Sequence, residues 1–421
     1  MNRSSALVAL RYRDFRLLWA GQSVSSLGTQ IQTVALAWLV YSLTGSAAQL
    51  GAVGLARAIP TMVLSLLGGT LADRRDRRKL LIISQAILAV LSALLAIAVS
   101  AGITSIILID IFAALTAAAS AIESPTSQAF IPSLVPREIL VKALTLDVLA
   151  SDTVAVVGPA IGGVVIAVLG VSAAFWLDAG SFFAVVAALV VIRTRVAPPR
   201  VEENPMAALL KGLTFVRERG ILWQLMLLDF LATFLISPTG LLPVFARDVL
   251  VLGPAGLGLL YAAPSAGAVV GAGVMALVRS PRFPGRMVAI SIAGYALALG
   301  FFGFSTWLIP SLILLGLGGG LDAVSMTMRH TVQQLATPDE LRGRVGALHD
   351  VFASGGPRLG DFQAGLMASV IGAPGAMIAG GLACLGVVTT ARLWAPQLWS
   401  YRGEDMPVHL VPEPVRVADD D

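Results

Sequence analysis

Residues 69–79 read Gly69-Thr70-Leu71-Ala72-Asp73-Arg74-Arg75-Asp76-Arg77-Arg78-Lys79, a polar turn wedged between apolar runs near 48–71 and 80–101. Each run has the roughly 20 residues that a helix needs to cross a bilayer. A chain that crowds its charges into one short turn, with an apolar run on each side, describes a helical hairpin through a membrane. The rest of the 421 residues agrees: 57% are hydrophobic and 13% charged, and mean hydropathy is +0.84. Soluble domains carry about 25% charged residues. A soluble globule of this composition would expose more apolar surface than its charges could cover. A cytosolic enzyme, a disordered chain and a secreted disulfide scaffold are therefore excluded. The expected class is an all-α integral membrane protein, because only helices and closed barrels satisfy their backbone in lipid.

Ten more runs extend the pattern outward, near 17–41, 104–124, 143–169, 172–192, 221–245, 255–278, 287–305, 308–328, 345–371 and 375–391. Twelve transmembrane helices are expected, six on each side of a polar stretch. That stretch sets the organisation: an N-terminal half over 1–192, a linker over 193–220 with an amphipathic helix near 207–217, a C-terminal half over 221–395 and a tail over 396–421. The first run is too long for a cleavable leader and is expected to stay as the first spanning helix.

Orientation follows from the cations. One set of connections carries Arg3, Arg11, Arg13, Arg16, the basic turn, Arg137, Lys142, the linker cations, Arg279, Arg282, Arg286, Arg329, Arg342 and Arg344; the other carries only Arg247. Both termini and the linker are expected in the cytoplasm. Net charge is +4, and the positions of the cations explain it without nucleic acid. Cys384, His330, His349 and His409 show no metal-ligand spacing. No metal, no cofactor and no catalytic constellation are expected.

Gly158-Pro159-Ala160-Ile161-Gly162-Gly163 in the fifth run and Gly356-Pro357-Arg358-Leu359-Gly360-Asp361 in the eleventh stand at equivalent places in the two halves. Such parallel repeats suggest a transporter with a pseudo-two-fold axis along the membrane normal. The glycines let backbones approach, and the proline bends the helix. A bend at Gly158, Pro159, Gly162 and Gly163 fits an outer seal against the other half, or simple helix packing.

The basic turn resembles the signature G-x-L-a-D-r-x-G-r-(R/K) of the major facilitator superfamily, with Asp76 where that pattern has Gly. The stretches Asp14-Phe15-Arg16-Leu17-Leu18-Trp19, Pro125-Thr126-Ser127-Gln128-Ala129-Phe130-Ile131-Pro132 and Thr337-Pro338-Asp339-Glu340-Leu341-Arg342-Gly343-Arg344 are similar to the bacterial branch that holds the enterobactin exporter and macrolide efflux pumps. The similarity spans residues 11–391. It implies the major facilitator fold and a gradient-driven inner-membrane exporter. The fifth-run glycines resemble the core of that superfamily's antiporter motif, though Val154 and Thr145 replace two upstream glycines. The superfamily's arginine in the fourth helix is absent. The resemblance also implies a cytoplasmic latch between the halves at Gly69, Asp73, Arg74, Arg77 and Arg78, where a positive-inside anchor would need the same cations.

Charges inside spanning runs are costly and usually mark a cavity or a partner. By depth, Arg57, Asp152, Arg358 and Asp361 fall in the middle of the bilayer, and Glu123 near the inner end of its run. Asp152, Glu123, Asp361, Arg57 and Arg358 are the proton-coupling candidates, with Asp152 and Arg57 expected to pair in one state and separate in the other. Gln30, Gln32, Asp110, Asp229 and Asp322 are cavity or substrate candidates; each also fits a structural hydrogen bond or ion pair. Asp178 is expected near the outer mouth, and Trp19, Trp38 and Trp307 as interfacial anchors. The expected function is proton-coupled export of a small organic molecule, a siderophore or hydrophobic drug, by a monomer in the bacterial inner membrane, its partners being substrate, protons and lipid. Uptake by symport, lipid scrambling and a non-transporting accessory role are the alternatives.

Overall fold

The computed structural model describes residues 6–194, 205–277, 283–338 and 341–401, without the side chains of 6, 65–74, 205–211, 347 and 350. Among them there is no strand. The helices are α1 (Arg13–Thr44), α2 (Ala47–Arg74), α3 (Arg77–Ser100), α4 (Ile106–Phe130), α5 (Arg137–Leu169), α6 (Val171–Val191), the linker helix α7 (Pro205–Glu218) and α8 (Gly220–Leu235). After α8 the chain breaks, makes a 3-10 turn (Thr239–Leu241), the single turn α9 (Leu242–Val244) and a π turn (Phe245–Val249). Then come α10 (Gly253–Leu277), α11 (Pro284–Phe302), α12 (Leu308–Ala336), α13 (Arg342–Trp394) and the short α14 (Pro396–Ser400).

Ten segments are long and apolar enough to cross a membrane, with Gly220–Val249 one of them. α13, at 53 residues, would measure about 80 Å if straight, far beyond a ~30 Å hydrocarbon core. It folds back at Gly372, whose φ of 77° and ψ of 159° are not helical. Gly170, between α5 and α6, has nearly the same conformation (φ 85°, ψ 168°), so the corresponding turn in each half uses the same glycine device. α1 falls outside the ten because Gln30, Gln32 and its Ser and Thr residues lower its hydropathy; several of these groups bond inside the bundle, as Gln32 Nε2 does to Ser92 Oγ at 2.8 Å.

α1, α3, α5 and α6 pack together, with α2 against α4; α8, α10, α11, α12 and α13 form a second group. The groups meet mainly through α2 with α13 and α5 with α10. The glycine repeat sets both seams. A Cβ on Gly158 would stand 2.7 Å from Gln30 Cβ, and one on Gly162 3.0 Å from Ile31 Cα, both on α1. Gly356 and Gly360 face Thr233 and Phe234 on α8 in the same way. Gly163, the residue after Gly162, faces Pro254 and Gly258 of α10, and Gly365, five residues past Gly360, faces Ala47 and Gly51 of α2.

These seams lie toward the ends of the helices joined by the α1–α2 and α5–α6 turns. At that face Tyr41 Oη donates to Asp248 Oδ2, and Arg247 Nη1 donates to the Tyr41 carbonyl at 3.2 Å. The opposite face carries α7 and α14. The α2–α13 contact extends toward it as far as Gly355, where a Cβ would stand 3.3 Å from Met62 Cε.

Candidate functional site: a broken helix between two arginines and a carboxylate

The break after α8 leaves backbone groups of residues 236–240 without helical partners, and Pro238 has no N–H to offer. Side chains from three other helices replace those bonds. Tyr295 Oη of α11 donates to the Ile236 carbonyl at 3.1 Å, and Tyr261 Oη of α10 donates to the Thr239 carbonyl at 3.1 Å. Asp361 of α13 accepts from Ser237 Oγ at 2.6 Å and from the Gly240 N–H at 2.9 Å, both on Oδ1. Non-helical backbone at membrane depth is tolerated where protein or a cavity receives it, and here it is built around one carboxylate.

Two arginines lie near that carboxylate without forming an ion pair with it among the described residues. Arg57 and Arg358 both act electrostatically on Asp361, and Arg57 also on the Tyr261 phenol. Arg57 comes from the first group of helices and Arg358 from the second, so the site straddles the seam. Gly54 makes room for it: a Cβ there would stand 3.4 Å from Asp361 Cβ and 3.6 Å from the Arg358 carbonyl. Arg358 Nη1 reaches only the Ser354 carbonyl, at 3.4 Å, and the Arg57 guanidinium makes no hydrogen bond among the described residues. Both arginines are half-buried.

The remaining candidates are dispersed. Asp152 is exposed on α5, while Arg57 lies near Asp361 and Tyr261; the two are apart in this state, where α2 packs on α4 and α13 and α5 on α1 and α10. Glu123 sits inside the first group, where its Oε1 accepts from Gln22 Nε2 at 2.7 Å and from Gln85 Nε2 at 3.1 Å. Gln22 also donates to Ser127 Oγ at 3.1 Å. Asp110 accepts from Gln49 Nε2 of α2 at 3.1 Å. Gln30 lies against Gly158, and Gln32 turns into the bundle toward Ser92, which itself donates to Asp178. Asp178 is fully buried between α1, α3 and α6, a correction to its expected place at the outer mouth. Trp19 donates to the Leu146 carbonyl of α5 at 3.3 Å, which gives it a role in packing the bundle.

Asp229 forms a buried ion pair with Arg329 of α12, whose second guanidinium nitrogen lies 3.5 Å from Asp322. Asp229 is 1% exposed and Arg329 5%. Arg329 is therefore no loop cation: α12 continues to Ala336, eight residues past the end of the apolar run. Its register, seven residues after Asp322 on a helix, was the signal that could have placed it inside. Tyr261 and Tyr295 carry an analogous signal, as lone phenols in apolar runs.

In the basic turn, Asp76 has φ −62° and ψ 109° and caps α3, accepting from the N–H groups of Arg78 and Lys79. The aspartate where the superfamily pattern has glycine is an N-cap and needs no left-handed backbone. Arg77 Nη1 donates to the Ala129 carbonyl at 2.7 Å, and Arg78 donates to the Leu189 and Val190 carbonyls at 2.7 and 2.8 Å. These arginines serve the C-terminal ends of α4 and α6, where cations oppose the helix dipole. Each of these hydrogen bonds lies within the first group. The side chains of Gly69, Asp73 and Arg74 lie outside the described residues.

The comparisons with known proteins match this geometry. The chain is 29% identical over 390 residues to the enterobactin exporter of Shigella boydii serotype 18, covering 90% of each chain, and 29% identical to that of Escherichia coli O81 over the same shares. Among solved structures it resembles a bacterial homolog of the human lysosomal transporter Spinster in an inward-facing, occupied conformation, with a TM-score of 0.72 at 15% identity over 91% of this chain and 97% of that one. A bacterial homologue of the iron transporter ferroportin in the inward-facing state gives a TM-score of 0.70 at 17% identity, over 92% and 99%. The transmembrane secretion effector profile matches residues 4–415. The chain belongs to the transmembrane secretion effector family of the major facilitator superfamily and is a multi-pass membrane transporter.

Proposed function

We propose that this protein is a proton-coupled exporter of a small organic molecule, working as a monomer by alternating access. Twelve crossings would be made by the ten apolar segments, with α13 counted on each side of Gly372, together with α1. Residues 1–192 and 221–395 would rock about the glycine seams, with both termini and the linker in the cytoplasm. The observation that carries this reading is the position of the broken-helix site. It lies on the seam between two helix groups, beside close glycine contacts, so rocking would expose it to each side in turn. The basic residues mark the face of α7 and α14 as cytoplasmic; on this reading that face is the open one and the state is inward-open, as in the inward-facing neighbours. The relatives named as enterobactin exporters favour export over uptake, and a siderophore-like or drug-like cargo fits a site that combines charges with apolar walls.

Glu123 is the residue best suited to carry the proton. Its partners, Gln22 and Gln85, are neutral amides that can serve a carboxyl in either protonation state, and no cation acts on it among the described residues. It lies seven residues from Phe130 at the open face, roughly 10 Å along the helix. Asp152 is exposed, and Asp361 is committed to the Ser237 hydroxyl and the Gly240 N–H of the broken helix. In proteoliposomes with an imposed pH gradient, the wild type should accumulate cargo against its own gradient. Glu123→Gln should abolish that accumulation and keep cargo counterflow. A Glu123→Gln variant that still accumulates cargo would assign the proton elsewhere; wild-type accumulation in whole cells, with none in everted vesicles, would make the protein an importer.

A further inference from the structure

We infer that the seam site selects an organic anion, with Arg57 and Arg358 as the residues that recognise its carboxylate, catecholate or phosphate oxygens. The inference rests on the transporter reading above and names the class of cargo. Its basis is a charge imbalance. Buried or half-buried charges in a membrane protein are matched by partners, because an isolated ion is costly there. At this site two guanidinium groups face one carboxylate. Of the other charges inside the second helix group, Asp229 pairs with Arg329, and the half-exposed Asp322 lies 3.5 Å from the same guanidinium, so none of them is paired with the two seam arginines. Asp361 is in turn shared: its Oδ1 already holds Ser237 and Gly240. At the seam itself one positive charge is left over, and Arg57 and Arg358 between them make one guanidinium hydrogen bond among the described residues, to the Ser354 carbonyl.

Depth decides which anion can reach it. Arg57 lies ten residues into α2, about 15 Å from its first residue, near the middle of a ~30 Å core. A phospholipid phosphate stays at the interface, so the surplus charge is reached by a solute entering through the open face. Guanidinium groups fit planar oxyanions through paired N–H bonds. The two arginines also sit on different helix groups, so an anion bridging them would be gripped while the groups are close and released as they separate.

A matched pair of dyes on the same xanthene core tests this: anionic fluorescein and cationic rhodamine 6G, titrated into purified protein with fluorescence anisotropy as readout. Fluorescein should bind saturably and more tightly than rhodamine 6G. Arg57→Gln and Arg358→Gln should each weaken fluorescein tenfold or more, with partial recovery in Arg57→Lys, and Asp361→Asn should tighten it. Anionic phosphatidylglycerol added in micelles should not compete; competition would assign the site to lipid and overturn the inference. Preference for rhodamine 6G, absence of saturable fluorescein binding, or unchanged binding in both Arg→Gln variants would overturn it too. Thermal melting checks that each variant is folded, and Arg358→Gln stands in if Arg57→Gln is not. Binding is read without any gradient. Fluorescein binding that survives while vesicles fail to transport would therefore sink the transporter reading and leave the anion site standing.

Discussion

Arg329 shows what a single residue can hide. The apolar run over 308–328 ends just before it, so it reads as a loop cation, yet it is 5% exposed and paired with Asp229. The pair follows from cost: a buried guanidinium without its carboxylate is an uncompensated charge. Asp229→Leu alone should therefore destabilise the protein by roughly 3–5 kcal/mol. Replacing both partners, as Asp229→Leu with Arg329→Met, should recover most of that loss, since an apolar pair of similar volume removes both desolvation terms. Thermal melting in detergent checks both; a double variant no better than the single one would show that Asp322 or the neighbouring packing carries the site. Asp14 makes a second residue-level case. Burial pushes its carboxyl up, but bonds from Thr194 Oγ1 and from the N–H groups of Thr194 and Arg193, with the Arg13 charge, outweigh that and hold it below the usual carboxylate range. Because its folded value is the lower one, its contribution is present above the unfolded pKa of about 3.9 and lost as pH falls through the folded value. Asp14→Ala should melt below wild type at pH 7, and the difference should shrink below about pH 4.

At the scale of elements, most of the architecture could be read from periodicity and composition. Spanning runs, the basic turn and the Gly-Pro repeat depend on local chemistry that a sequence displays. What could not be read was where elements stop being regular. Residues 221–245 read as one apolar run, although Ser237-Pro238-Thr239-Gly240 carries every turn signal; apolar flanks masked the break, and its side-chain partners, Tyr261, Tyr295 and Asp361, lie far away in sequence. Asp152 and Arg57 share a depth but are apart in this state, and depth along a helix says nothing of which face meets which neighbour. The glycine seams, by contrast, are legible and can be tested. A leucine at Gly163 would drive its Cβ to 2.6 Å from the Pro254 carbonyl and 3.0 Å from Gly258 Cα, both of them backbone that cannot rotate away. Closure at the α1–α2 face should then be prevented and the population shifted toward opening there. A cysteine at Val148, on the open face, should react several-fold more slowly with an impermeant maleimide in everted vesicles when Gly163→Leu is added. The native Cys384 is fully buried and gives little background. Equal reactivity would mean that the α2–α13 seam alone sets the state.

For the whole molecule, cargo and proton have to exclude one another if export is to be driven by proton entry. Linkage constrains where each can sit. An anion bound to Arg57 and Arg358 takes those cations from Asp361 and adds negative charge beside it, so anion binding and protonation of Asp361 favour one another. That is the coupling of a symporter. An exporter of anions therefore needs its proton on another residue, and Glu123, inside the first helix group and away from the seam, meets that requirement. The two sites must then communicate through packing, and the contact between them is specific: α4, which bears Glu123, packs along α2, which bears Arg57. Gln49 and Asp110 tie these helices with a hydrogen bond at 3.1 Å. A tie of this kind holds the two helices in register, so a change in the charge of Glu123 would move Arg57 with it. Gln49→Leu should leave fluorescein affinity within about twofold, since a tenfold change needs about 1.4 kcal/mol and Gln49 does not touch the arginines. It should also lower gradient-driven accumulation several-fold while counterflow persists and protons leak without cargo. Full accumulation in Gln49→Leu would mean that the coupling runs through another contact, of which α1, bonded to Glu123 through Gln22 and packed on the Gly158 bend, is the next to test.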